Sequence, residues 1–204
     1  NSSNTAAFLG TALFSNVNHE KMETIYLKAA APGFPFVCSN SINVNHNVPT
    51  QALFTVQPVA NETIDKAFEI QPVLEIFDAY NNLTTSNNTS SLTLLAFNDN
   101  TCDIPSGFAL NNNSFTAANG KITTNNINAS SSNLTLYLKA DFGSFSVCSN
   151  QTSVYPDLSA VYTSSQNTLS NHTIEINGGV PPLNCGAYTL NESGSTKSSC
   201  YTAG

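Results

Sequence analysis

One stretch of the sequence occurs twice, and this repeat constrains the fold more than any other feature. The first copy is Thr24-Ile25-Tyr26-Leu27-Lys28-Ala29, which closes on Phe36-Val37-Cys38-Ser39-Asn40. The second copy is Thr135-Leu136-Tyr137-Leu138-Lys139-Ala140, which closes on Ser146-Val147-Cys148-Ser149-Asn150. The copies keep Tyr-Leu-Lys-Ala and Val-Cys-Ser-Asn in order, with a one-residue difference in spacing. The chain is therefore predicted to contain repeats of a unit of about 110 residues, a spacing typical of small sandwich domains.

The hydrophobic pattern in both copies has a period of two, which is a strand signal. In the second copy Leu134, Leu136, Leu138 and Ala140 are expected to point inward, and the intervening residues outward. Between Gln51 and Val154 the sequence predicts about seven short strands with Gly, Asn or Pro at the turns. A further strand is expected near Thr11 to Val17. No segment shows a convincing amphipathic helix, so the predicted fold class is all-β, built from immunoglobulin-like β-sandwich repeats.

The composition excludes two classes of function. Charged residues make up 9% of the chain, the net charge is -7 and there are only six Lys and Arg residues, so no basic patch for phosphates is available. Nucleic-acid binding is therefore not expected. A membrane span is not expected either, because no run approaches about 18 apolar residues.

Two features indicate an extracellular or cell-surface protein. The five cysteines lie far apart, with no C-x-x-C pair and no nearby His, which favours disulfides. N-x-S/T sequons are dense, although a chain so rich in Asn, Ser and Thr also generates sequons by composition alone. Covalent glycans on several of them would explain how so uncharged a surface stays soluble. The candidate glycosylation sites are Asn1, Asn61, Asn82, Asn87, Asn88, Asn112, Asn128, Asn133, Asn150, Asn171 and Asn191.

Part of the chain resembles a known family. The run Phe54-Thr55-Val56-Gln57-Pro58, the segment Phe68 to Phe77 leading into Asp78-Ala79-Tyr80-Asn81-Asn82, and the strand at Ser91 to Leu94 are similar to extracellular bacterial-type immunoglobulin-like repeats of invasin-like surface and fibre proteins. The resemblance covers Gln51 to Val154, and Asn81 stands where the family usually has Gly. It implies a structural or adhesive role without a shared catalytic site. Independently, the Asp and Asn residues of Asp78 to Asn82 predict a turn.

The repeat divides the chain into one complete unit and two halves. Residues 48–155 form the predicted complete sandwich, residues 1–47 match its C-terminal half, and residues 156–204 begin like a new unit. Each half alone would leave strand edges and apolar residues such as Leu27, Phe34 and Phe36 uncovered, and open edges recruit strands. We therefore expect residues 156–204 of one copy to complete residues 1–47 of the next, in a head-to-tail homopolymer. The alternatives are a fragment of a longer tandem-repeat protein and two ordinary folded ends.

The cysteines extend this prediction. Cys102 and Cys148 lie in one unit and are expected to form a disulfide. By analogy Cys38 would pair with Cys200 of a neighbouring copy, which leaves Cys185 over. The competing arrangement pairs Cys185 with Cys200 and leaves Cys38 free.

No enzymatic signature is present: the sequence has no nucleophile elbow, P-loop, HExxH motif or dinucleotide fingerprint. No cofactor is expected, and His19, His46 and His172 lie in separate segments without a metal-ligand pattern. Asp99 and Asp103 around Cys102 could hold calcium, although an acid-rich loop without an ion is the simpler interpretation. Lys28 and Lys139 are candidates for an isopeptide crosslink to Asn, which requires a buried lysine. Each alternates with the inward-facing leucines of its strand, however, so its side chain is expected to point outward. The predicted function is a structural subunit of an extracellular fibre, and the alternative is an adhesin or carbohydrate-binding module.

Overall fold

The structure is a computed structural model that describes residues 4–15, 17–132, 134–156, 159–164 and 172–177, with the backbone alone described for the last two ranges. These residues form strands and no helix, so the predicted all-β class is confirmed. The flanking strands are β1 Thr24–Ile25, β2 Lys28–Ala29, β3 Val37–Cys38 and β4 Ile42–Asn43, and towards the C-terminus β15 Ser159–Ser164 and β16 His172–Asn177. The central strands are β5 Gln51–Val56, β6 Asn61–Thr63, β7 Val73–Phe77, β8 Ser91–Phe97, β9 Leu110–Asn111, β10 Ser114–Thr116, β11 Lys121–Thr123, β12 Asn128–Ala129, β13 Leu134–Asp141 and β14 Ser146–Tyr155.

The central strands form two main sheets around one core, and we call residues 48–156 the sandwich. One sheet has five strands in the order β10-β8-β13-β14-β6, and the other has three in the order β11-β7-β5. Leu74 and Ile76 of the three-stranded sheet and Leu94 and Leu138 of the five-stranded sheet belong to one buried cluster. Each is fully buried, and burial of such a side chain stabilises a fold by about 1.5–3 kcal/mol.

The alternation predicted for the second repeat copy is present in β13. Leu136, Leu138 and Ala140 are buried, whereas Thr135 is exposed and Lys139 is half-buried. β13 pairs with β14 on one side and with β8 on the other. Its inward residues therefore lie in the middle of the larger sheet, where both edges are hydrogen-bonded.

A disulfide joins the loop after β8 to β14. It links Cys102 and Cys148, whose Cα atoms are 6.0 Å apart. This is the pairing that the sequence predicts within the central unit. It fixes the loop at residues 98–105 to a strand that is two positions away in the sheet.

The strand directions place the two ends of the sandwich. The first strand of the sandwich begins at Gln51, which pairs with Phe77. Its last strand ends at Tyr155, which pairs with Thr63. β5 and β7 are antiparallel, as are β7 and β11, so the starts of β5 and β11 lie at the same end of the three-stranded sheet. Gln51 begins β5, and the turn at residues 118–121 leads from β10 into β11, so both lie at this end. β13 is antiparallel to β8, and β14 is antiparallel to β13, so β14 runs from this end of the sandwich towards the other end. We call these the upstream end and the downstream end.

Two strands differ from the sequence-based expectation. Thr11 to Val17, predicted as a strand, has no ladder in its described residues, and only an isolated bridge joins Phe8 and Thr11. A strand needs a neighbour to hold its backbone groups, and the described residues supply none there. The repeat segment beginning at Thr24 is also interrupted, since β1 and β2 are separate short strands.

The proline in the predicted Phe68 to Phe77 strand marks where that strand begins. β7 starts at Val73, and Phe68 lies before it in a loop, although it is buried. Pro72 has no N–H to donate to a ladder. Its carbonyl instead accepts a hydrogen bond from the Thr124 hydroxyl at 2.7 Å.

Candidate functional site

The head, which we define as residues 4–47, repeats the strand pairing of β13 and β14 residue by residue. Thr24 pairs with Asn43 and Ile25 with Ile42, as Thr135 pairs with Ser153 and Leu136 with Thr152. The second pair of strands continues the match. Lys28 and Ala29 pair with Cys38 and Val37, as Lys139 and Ala140 pair with Cys148 and Val147. The sequence repeat is therefore also a repeat of backbone register.

A serine makes the same side-chain contact in both copies. The Leu27 N–H donates to Ser39 Oγ at 2.9 Å, and the Leu138 N–H donates to Ser149 Oγ at 2.8 Å. Each serine hydroxyl in turn donates to the carbonyl of the following residue, Asn40 or Asn150, at 2.7 Å. The hydroxyl replaces a direct ladder bond at this point, which explains why both copies keep Ser after Cys.

The two copies differ in burial, and this difference defines the candidate site. Leu27 is 41% exposed, whereas its counterpart Leu138 is 0% exposed. Ala29 is exposed and Ala140 is fully buried. Among the residues that the structure describes, the head thus has strands matching those of the sandwich without a second layer that buries them.

Further apolar side chains of the head are uncovered. The exposed large hydrophobic residues in this part of the chain are Phe8, Leu9, Leu13, Phe14, Val17, Tyr26, Leu27, Phe34, Phe36, Val37 and Ile42. Single exposed apolar residues are normal, but so many within one short segment favour an interaction surface. We call the strands β1–β4 with these side chains the head surface.

The sandwich shows what occupies the corresponding position beside β13. There Tyr137 pairs with Phe97, Lys139 with Leu95 and Asp141 with Thr93 of β8. In the head, no strand among the described residues pairs with the corresponding edge of Tyr26 to Ala30. The matched lysines therefore contact different rings. Lys139 Nζ lies 5.2 Å from the ring centre of Phe97 on the neighbouring strand β8, whereas Lys28 Nζ lies 4.3 Å from the ring centre of Phe36 within the head itself.

The β15–β16 hairpin repeats the first two strands of the three-stranded sheet. Ser159 pairs with Asn177 and Ala160 with Ile176, as Gln51 pairs with Phe77 and Ala52 with Ile76. The residues at the matched positions are similar, and Glu75-Ile76 corresponds to Glu175-Ile176. The sequence predicts that this region begins like a new unit, and the two registers agree with that prediction.

The head is joined to the upstream end of the sandwich by hydrogen bonds from one turn. Asn82 Oδ1 accepts from the Met22 N–H at 2.8 Å, and Asn82 Nδ2 donates to the Glu20 carbonyl at 2.7 Å. The same amide donates to Asp78 Oδ2 at 3.0 Å, and Asp78 Oδ2 also accepts from the Asn47 N–H at 2.8 Å. Two side chains of the sandwich therefore hold three backbone positions of the head.

We call this set of hydrogen bonds between the head and the turn at residues 78–82 the joint, and Asp78 is the charged residue at its centre. Its Oδ1 accepts the N–H groups of Tyr80 and Asn82, each at 2.9 Å, and Asn81 has a φ of 63°. This is the turn that the sequence predicts. Burial raises the pKa of Asp78, but the hydrogen bonds to Asn47, Asn82 and Tyr80 outweigh it and lower the pKa to about 2.

The sequons occupy different environments. Asn88, Asn112 and Asn150 are exposed, Asn61 and Asn128 are half-buried, and Asn82 and Asn87 are buried. The side-chain nitrogen of Asn87 donates to Ser90 Oγ at 2.8 Å. Asn1, Asn133, Asn171 and Asn191 lie outside the described residues, as do Cys185 and Cys200.

The acid-rich loop around Cys102 uses its carboxylate internally. Asp99 accepts the N–H of Ile104 at 2.7 Å and that of Asp103 at 3.1 Å, and the Thr101 hydroxyl also donates to it. The Thr101 hydrogen bond and the backbone bonds lower the pKa of Asp99 to about 2, against a smaller opposing effect of burial. Within the described part of the chain, no group of three or more His, Cys, Asp or Glu residues could hold a metal ion.

Comparisons with protein-family models and with curated proteins assign no family to this chain. No protein-family model matches the chain, and no curated protein matches it. The resemblance to invasin-like repeats therefore stays a prediction. None of the described residues belongs to a helix of the length and apolar character that crossing a membrane requires.

Proposed function

We propose that this chain is the structural subunit of an extracellular fibre, in which the C-terminal segment of one copy covers the head surface of the next. The observation that carries the proposal is the contrast between Leu27 and Leu138. They occupy matched positions in one register, yet one is 41% exposed and the other is 0% exposed. A strand pair with the sequence of a sheet interior, whose outer edges pair with no strand among the described residues, favours recruitment of a further strand.

The C-terminal segment fits this role. Its β15–β16 hairpin has the register of β5 and β7, the strands that lie opposite β13 and β14 across the core of the sandwich. The head and this segment therefore correspond to complementary parts of one unit. A contact between two different surfaces of identical copies does not close on itself unless the rotation makes a ring, so it builds a filament.

The directions of the strands support contact between copies. The head is joined to the upstream end of the sandwich, and β14 leads out at the downstream end. Copies related by translation along this axis would place the head surface of one beside the C-terminal segment of another. The Cys102–Cys148 disulfide and the candidate glycans fit an extracellular location for such a fibre.

The test compares two charged substitutions at exposed leucines. Leu27→Asp alters the head surface, and Leu53→Asp alters β5 at a side chain that is 56% exposed. We expect wild-type protein and Leu53→Asp to form fibres in negative-stain micrographs and to sediment as concentration-dependent assemblies. Leu27→Asp should stay monomeric, because burying the carboxylate at the contact costs at least about 3 kcal/mol, or more than 100-fold in affinity.

Two results would overturn the proposal. One is wild-type protein that sediments as a monomer at every concentration, and the other is Leu27→Asp protein that assembles as well as the wild type. The same contacts would arise within a longer tandem-repeat polypeptide, which is the second candidate. Reducing electrophoresis of deglycosylated native fibres separates the two, because separate subunits give one band at the mass of this chain.

A further inference from the structure

The head strand that matches β13 is interrupted at one point. Tyr26 and Leu27 lie between β1 and β2 and belong to no strand. The matching residues of the sandwich, Tyr137 and Leu138, lie within β13, which continues through both of them. The two copies therefore differ at this point in backbone structure as well as in burial.

β8 accounts for this difference. The ladder between β13 and β14 shifts register here, where the Leu138 N–H donates to Ser149 Oγ. β8 bridges the shift on the other edge of β13, since its Ala96 pairs with Leu138. The head makes the same contact from the Leu27 N–H to Ser39 Oγ, but no strand among the described residues pairs with its other edge. The interrupted strand thus lacks the neighbour that keeps β13 continuous.

β8 also shows which side chains fit such an edge. On the side that faces the core, the small Ala96 pairs with Leu138, and the large Leu94 pairs with Ala140. All four side chains are buried, at 6% exposure or less. Each pair sets a large side chain against a small one, and the order is reversed between the two pairs. This arrangement fills the space between the strands closely without overlap.

We propose that a strand of a second copy adds antiparallel to residues 26–30 of the head, in the register that β8 takes on β13. We call residues 26–30 the acceptor edge. The added strand places a small side chain opposite Leu27 and a large aliphatic one opposite Ala29. β8 of the same copy does not serve, because it already pairs with β13 and β10. The inference rests on the proposed function and names the chemistry of the strand that covers the head.

One feature of β8 is not required of the added strand. Lys139 Nζ lies over the ring of Phe97, the β8 residue that pairs with Tyr137. Lys28 Nζ instead lies over the ring of Phe36 within the head. Because the head supplies the ring for its own lysine, the residue opposite Tyr26 need not be aromatic. Recognition therefore depends on the two side chains that face inward.

The probes are two synthetic peptides of the same composition, each flanked by lysines for solubility. The first carries the β8 sequence Ser91–Phe97, and the second carries Leu94→Ala together with Ala96→Leu. Fluorescence anisotropy with dilute wild-type protein should show tighter binding of the first peptide by about tenfold or more, because the second sets leucine against leucine and alanine against alanine. A saturating amount of the first peptide should also block fibre assembly in sedimentation.

A compensating variant tests the register. Leu27→Ala together with Ala29→Leu exchanges the two side chains of the acceptor edge, and both positions are exposed in the head. This variant should reverse the preference and bind the second peptide more tightly by about tenfold or more. Leu27→Asp should bind neither peptide. Photoreactive residues at positions 97 and 93 of the first peptide should crosslink near Tyr26 and Ala30 respectively, as an antiparallel strand requires.

The outcomes separate this inference from the fibre proposal. Equal binding of the two peptides, or an unchanged preference in the compensating variant, would overturn the register, and fibres in micrographs would then leave the proposed function intact. Crosslinks in the opposite order would overturn the antiparallel direction. Fibres that grow undisturbed in saturating first peptide would show that assembly does not use the acceptor edge. Wild-type protein that prefers the first peptide but stays monomeric at every concentration would exclude a second copy as the occupant, and the proposed function with it.

Discussion

The stability of the sandwich should depend on pH through one buried carboxyl. Glu62 lies on β6 opposite Val154 and is 4% exposed. Its Oε2 accepts the Glu69 N–H at 3.0 Å. Its Oε1 is the only buried side-chain polar atom among the described residues that has no hydrogen-bond partner. Burial raises the pKa of Glu62 to about 7, the Glu69 N–H lowers it and the negative charge of Glu69 raises it further.

The sign of the effect follows from the raised pKa. Between the ordinary value of 4.5 and about 7, the folded protein holds a proton on Glu62 that the unfolded chain has released. The stabilisation linked to this proton is therefore complete below pH 4.5 and is lost as the pH rises through 7. A difference of about 2.5 pH units corresponds to about 3 kcal/mol in the free energy of unfolding.

Replacement of Glu62 by Gln tests this reasoning, because the amide keeps the shape and cannot ionise. At pH 4 we expect Glu62→Gln and wild-type protein to have similar free energies of unfolding in guanidinium titrations followed by circular dichroism. At pH 8 the variant should be more stable by about 3 kcal/mol. The wild type then either keeps an unfavourable charged carboxylate in the buried site or disrupts local packing to expose it to water. Only the difference between the proteins is used, so contributions from other titrating groups cancel.

A neighbouring substitution supplies the control. Glu69→Gln keeps the N–H that Glu62 Oε2 accepts and removes a charge that raises the pKa of Glu62. It should raise stability at pH 8 by less than Glu62→Gln does. A difference between wild-type and Glu62→Gln protein that stays the same from pH 4 to pH 8 would refute the argument that Glu62 is buried in the neutral form.

Three further predictions concern the sandwich and its joint. Gly120→Ala should lose at least about 2 kcal/mol in denaturant titrations, because Gly120 has a φ of +74° and an added Cβ would lie 2.6 Å from the Thr84 carbonyl oxygen; wild-type stability would contradict the close approach. Replacing Cys102 and Cys148 together by Ser should cost about 4 kcal/mol, the loop entropy of a bond that spans 46 positions, and a variant as stable as the oxidised wild type would disprove it. Asp78→Asn should lose about 2 kcal/mol at pH 7 and unprotect head amides in hydrogen exchange, because an amide nitrogen faces N–H donors. That loss should shrink as the pH falls from about 4 through 2, where Asp78 protonates in the wild type; a loss independent of pH would argue against the charged joint.

The local features of the fold could be predicted because they depend on residues close in sequence. Alternation of Leu136, Leu138 and Ala140 with polar residues specifies a strand with one buried face. Asp78 and Asn81 specify the turn, since their side chains bond nearby N–H groups and tolerate positive φ. The Cys102–Cys148 bond could be predicted from the repeat, because the two cysteines fall in one unit.

The features that were missed depend on contacts between distant segments. Asn82 lies in a sequon, but its amide is buried between Asp78 and Glu20, which is 62 positions away. Glu62 has no sequence signal, because its burial comes from β14 and from the loop that contains Glu69. The strand expected at Thr11 to Val17 is absent from its described residues, because propensity alone does not supply a pairing partner.

By itself the sequence determined that this protein is made of strands and that one strand pair is used twice, since side-chain periodicity and repetition are properties of the chain alone. Tertiary structure decided whether the apolar side chains of each copy are buried or exposed. Leu138 is buried because β8 and a facing sheet happen to surround it, whereas Leu27 has the same neighbours in sequence and remains exposed. Burial is a property of what packs against a residue, and for the head that packing has to come from outside the residues that form its own strands.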